Sequence, residues 1–196
     1  WSSDVCSSDL YQRDLTSYDE EAITDNQQTD HNCMNCHSFR MHDPDDMLFH
    51  MRSTYGGTYV WTNGVLEKLD GKVSDAIQSL VYPYWHPSGD YVVFSTNQTK
   101  QMFHMKDKNR IEVFDMSSDV LVYDVKNHRV VTDSLLFLKQ AFETFPSFSP
   151  DGKTLYFSSS VAQKMPIDYK KVKYNICSIS FDAETGRFGT QVDTLF

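Results

Sequence analysis

Cysteine is scarce in this chain, with four in 196 residues. Only one closely spaced pair exists, Cys33 and Cys36, so a zinc site built from two such pairs is excluded. Basic charge is scarce as well. Lys and Arg number 18 against 27 Asp and Glu, which leaves −9, and no basic stripe offsets it. That balance argues against a nucleic-acid partner. No apolar run reaches the length of a membrane-spanning helix. The sequence has no G-x-S-x-G elbow, Walker loop, H-E-x-x-H or dinucleotide fingerprint, and no two carboxylates are placed together by spacing. No catalytic residue is assigned, which disfavours a hydrolase or transferase. Aromatics are plentiful, with 13 Phe, 11 Tyr and 3 Trp, which suits a β-rich core.

Residues 1–10 read WSSDVCSSDL, which resembles the direct translation of a common short-read sequencing adapter. They are set aside as a non-native scar. Cys6 then drops out of the native inventory, and without Asp4 and Asp9 the net charge becomes −7. The chain is expected to be a fragment whose signal sequence is missing. Cys177 lies in the alternating stretch 175–181 and reads as a small buried hydrophobe.

What is present is Cys33-Met34-Asn35-Cys36-His37. C-x-x-C-H is the attachment signature of c-type haem. Its two thiols can add to the two vinyl groups, and the next histidine, His37, becomes the proximal iron ligand. A disulfide or redox pair, or half of a zinc site, are the other readings of the same residues. Second-ligand candidates crowd the neighbourhood: His31, Met41, His42, Met47, His50 and Met51. His50 comes first, because 43–46 (Asp-Pro-Asp-Asp) supplies a turn that lets the chain return around the macrocycle. Met51, Met47 and, farther on, His104 are alternatives, and packing is the ordinary role of any one methionine.

Residues 11–30 are polar and acidic and read as an extended lead-in, with a short helical turn near 18–23. Residues 31–56 form an irregular haem-binding segment. From Gly57 the pattern becomes β. Asn63-Gly64 between two alternating runs is a strong hairpin signal. Residues 70–71 give a second turn, and 73–81 a short helix or loop. An internal repeat follows. Residues 82–97 align without gaps on 145–160, matching Pro83 to Pro146, Pro87 to Pro150, Gly89 to Gly152 and Phe94 to Phe157. Each unit carries two further strands, and four strands per repeat is the unit of a β-propeller blade. Blades are expected at about 73–135 and 136–196. Residues 98–118 and 161–173 are excursions between strands, and the first carries the basic residues Lys106, Lys108 and Arg110, which read either as a solvated loop or as partners for the haem propionates.

The run from Phe145 to Ser158 resembles the TolB-like, WD-type propeller repeat; Tyr82 to Ser95 follows it with His86 and Ser88 in place of Ser and Asp. Together with Cys33 to Phe39, the arrangement is similar to exported bacterial proteins that join a C-x-x-C-H segment to a TolB-like propeller. The resemblance implies an all-β partial propeller of about two blades plus an N-terminal hairpin over 57–196, preceded by the haem segment. It also implies more blades than this chain holds, and an open propeller edge in the fragment.

Three functions follow. The first is an exported protein with one covalent haem c, acting in electron transfer at the periplasm or outer membrane with a redox partner. The second is a non-redox propeller that docks a protein or glycan and keeps its C-x-x-C pair for structure. The third is a haem enzyme with an open iron position.

Overall fold

The computed structural model describes residues 9–69, 80–106, 108 and 110–196. Most of the adapter-like stretch, the second turn and nearly all of the segment 73–81 lie outside them. The architecture is all-β and propeller-like. A small hairpin of β1 (Leu10–Arg13) and β2 (Glu20–Thr24) comes first. The helical turn expected near 18–23 is therefore a strand: its ladder to β1 and the Arg13–Glu20 ion pair hold it extended, while Ile23 packs against an apolar cluster.

Three antiparallel sheets follow. Blade 1 is β3 (Met34–Phe39), β4 (Met47–Met51), β5 (Gly57–Thr62) and β6 (Val65–Lys68). Blade 2 is β7 (Val81–Trp85), β8 (Tyr91–Phe103), β9 (Ile111–Asp124) and β10 (Arg129–Val131). Blade 3 is β11 (Ala141–Phe148), β12 (Thr154–Val161), β13 (Asn175–Asp182) and β14 (Arg187–Phe188), with β15 (Asp193–Thr194) also on β13. The expected hairpin is β5–β6, turning at Asn63 and Gly64 with φ of 51° and 76°. Two more strands join it, so the segment expected to be irregular is the inner half of a blade. The excursion 98–118 is also ordered: β8 and β9 run on as a ribbon from Gln98–Ser117 to Phe103–Ile111.

Alternation along the strands builds the core. In β8, Val92 and Phe94 face blade 1 and pack with its Leu48 and Val60, beside Trp85 and Leu121 of their own blade. Tyr91 and Val93 face blade 3, packing with Val122, Leu155, Phe157, Cys177 and Ile179. Cys177 is buried, as the alternating pattern around it suggested. Strand β7 lies between β3 and β11, so the first strands of the blades form the inner row.

Candidate functional site

The motif occupies β3, the inner edge of its sheet. Met34 and Phe39 pair with Met51 and Met47 and draw the strand onto a methionine-rich cluster. Between them the register slips: Asn35 pairs with His50 and Ser38 with Leu48, so Cys36 and His37 together oppose Phe49. This is a β-bulge, a device that re-aims side chains. Blades 2 and 3 repeat it. Tyr82-Pro83 opposes Phe94 and Phe145-Pro146 opposes Phe157. Cys36, Tyr82 and Phe145, the first residues of the three bulges, have φ of 52°, 51° and 52°. The motif pair is thus the blade 1 counterpart of the aromatic-proline pairs.

Cys36 is a free, partly buried thiol. Cys33 and Cys36 are not joined to each other. His37 is exposed, its ring edge-on to Phe39 at 5.7 Å. Of the second-ligand candidates, His50 lies nearest in register. It shares with Leu48 the face of β4 turned to blade 2, and its Nδ1 is 3.1 Å from Thr58 Oγ1. Burial, then the Arg52 charge, lowers its pKa, so the imidazole is neutral at neutral pH. Met47 and Met51 point the other way, 2 % and 7 % exposed, and serve the core. His31 Nδ1 is engaged by Asn26, and Met41 and His42 sit exposed in a tight turn. His104 Nε2 is hydrogen-bonded to the Glu112 carboxylate at 2.7 Å on the ribbon. Arg110 donates to the Met105 carbonyl, and Lys106 and Lys108 are exposed on the ribbon tip.

The packing of the blades gathers residues around Cys36 that spacing did not reveal. The rings of Tyr82 and Phe145 lie 4.6 Å apart at 48°. Burial pushes the Tyr82 hydroxyl up, Asp115 and Cys36 push it further, and Arg52 opposes them. Tyr174 is raised by burial, then by Asp115 and Tyr82. With its amide oxygen turned to Arg52, Asn35 accepts from the guanidinium at 2.9 and 3.1 Å. Trp85 Nε1 donates to the Ser38 carbonyl at 3.2 Å and ties β3 to blade 2. The repeat alignment was the signal for Tyr82 and Phe145; Arg52, Asp115 and Tyr174 carried none.

The motif implies a covalent haem, and the residues fit that group in kind. Two thiols and an imidazole stand at the required spacing, and the ladder leaves Cys36 and His37 unpaired on an edge strand. Tyr82, packed on Phe145, lies within electrostatic reach of both Cys36 and Arg52. Haem loading would also require the His37 ring to leave Phe39. Among the described residues, no group of three or more His, Cys, Asp or Glu forms a ready metal cage.

No protein-family model and no curated protein matches the chain. Solved structures do. The chain is similar to TolB from Acinetobacter baumannii at 11 % identity and TM-score 0.51, covering 94 % of this chain and 38 % of that one. It is similar to a prolyl endopeptidase at 12 % identity and TM-score 0.51, covering 93 % of this chain and 24 % of that one. Prolyl oligopeptidase B from Galerina marginata gives 10 % identity and TM-score 0.51, covering 95 % of this chain and 27 % of that one. These likenesses establish a propeller-type fold, TolB-like among others, and this chain spans well under half of each neighbour. No helix among the described residues is long and apolar enough to cross a membrane.

Proposed function

We propose that this chain is part of an exported propeller protein that carries one covalent haem c on its first blade and passes electrons to a partner protein. The observation that supports this most is C-x-x-C-H on an inner edge strand, with Cys36-His37 as the unpaired bulge pair. Cys33 and Cys36 would hold the group by thioethers, His37 would ligate one side of the iron, and His50 the other. The bound group would supply one-electron exchange. Tyr82 and Phe145 offer an apolar wall, and Arg52 a fixed positive charge within reach of Tyr82. Covalent attachment takes place after export, so the protein belongs to the periplasm or the outer-membrane surface. The test is expression of the whole gene behind an export signal in a host with c-type maturation, then a denaturing gel stained for haem peroxidase. A stained band that disappears in C33A/C36A is expected; an unstained band from exported protein contradicts the reading.

A non-redox docking module is the second reading. It is favoured by the Asn35–Arg52 contact and the Tyr82–Phe145 pair, which are complete without a cofactor. Its ligand would be a protein or glycan at the same cell surface. An enzyme with an open iron position would declare itself by a five-coordinate spectrum that responds to added small ligands.

A further inference from the structure

His50 does not stand alone on its strand. Thr58 lies directly opposite it in the β4–β5 ladder and is 4 % exposed. The Thr58 hydroxyl reaches two groups. One is the backbone carbonyl of Leu80, at a long 3.5 Å. The other is His50 Nδ1, at 3.1 Å. A carbonyl can only accept, so a hydroxyl that serves Leu80 must donate there. Its oxygen is then left to accept from His50, which places the imidazole proton on Nδ1. Nε2 has no hydrogen-bond partner among the described residues and keeps its lone pair. Which nitrogen of a histidine can bind a metal is set by the hydrogen bond the other one makes.

We propose that Thr58 is a positioning residue that holds His50 in the Nδ1–H tautomer and so presents Nε2 as an iron ligand. The ligand role rests on the haem reading above; the tautomer does not. The chain of contacts is Leu80 carbonyl, Thr58 hydroxyl, His50 Nδ1, and it crosses from the entry to blade 2 back into blade 1. It ties the orientation of the ring to the seating of the two blades.

The experiment has two readouts on the same exported full-length protein. First, long-range proton–nitrogen spectra of ¹⁵N-histidine-labelled C33A/C36A protein report the tautomer without haem. His50 is expected as Nδ1–H, T58V is expected to lose that state, and T58S to keep it. Second, in protein with its native cysteines, T58V is expected to retain covalent haem on a denaturing gel while losing the low-spin, six-coordinate spectrum, as H50A does; T58S restores it. An Nε2–H tautomer in the parent overturns the proposal, as does an unchanged tautomer in T58V. Covalent haem with a low-spin spectrum indifferent to both T58V and H50A overturns the ligand role. Absence of covalent haem from every variant removes the haem reading while the tautomer is judged separately.

Discussion

Glu143 is 1 % exposed, and neither carboxylate oxygen makes a well-formed hydrogen bond. Burial, and then the nearby Asp119, push its pKa from 4.5 up to about 7; the backbone amides of Leu138 and Glu143 offset this only in part. Between those two values the folded chain keeps a proton that the unfolded chain has released. Stability therefore falls as pH rises from 4.5 to about 7 and is level above that. E143Q should leave the melting temperature nearly unchanged at low pH and raise it by roughly 2–4 °C at about pH 8. Thermal melts at both pH values check this, and a variant less stable than the parent at about pH 8 contradicts it. The same scale shows what spacing can and cannot reveal. The motif of Cys33, Cys36 and His37 is legible because it is defined by adjacency alone. Arg52 reaches the site through the β3–β4 pairing and Asp115 from blade 2, so only strand pairing and packing bring them there. His86 was visible as a departure from the repeat, but not its role. Its Nδ1 accepts from the Ser88 amide, and Nε2 meets the Gly152 carbonyl at 3.0 Å, joining the turns of blades 2 and 3.

At the scale of elements, the hairpin and the two repeats were legible because Asn-Gly and Pro-x-Gly turns punctuate alternating runs. The inner half of blade 1 was hidden because its Cys-His bulge replaces the aromatic-proline pair by which the other two blades are recognised. The ribbon of β8 and β9 was hidden because polar alternation in 98–118 looks like loop until its pairing is seen. The turn glycines give a direct comparison. Gly152 has φ +72°, and a Cβ there would come within 2.2 Å of His86 Nε2. Gly64 has φ +76° with nothing within 4 Å of such a Cβ. G64A should cost about 1–2 kcal/mol, from the backbone alone. G152A should cost more, about 3–4 kcal/mol, because a buried ring must move as well. Urea unfolding of the two variants tests this; equal losses would mean that His86 yields freely.

Across the whole molecule, the blades share buried faces instead of each keeping a private core. Leu48 of blade 1 is 0 % exposed and packs in the cluster that holds Trp85 and Phe94 of blade 2. L48A should cost about 2–5 kcal/mol. Because the face is shared, tryptophan fluorescence and far-UV circular dichroism should shift together in one transition. Two separate transitions would show blades that unfold independently.

The central claim is that the inner strand of blade 1 holds haem through two thioether bonds. The most direct measurement is the pyridine haemochrome spectrum of the exported, full-length protein after denaturation. A spectrum of the kind given by haem with both vinyl groups saturated is predicted, unchanged in H50A and lost in C33A/C36A. A spectrum of haem with intact vinyl groups, or none from correctly exported protein, would contradict the account.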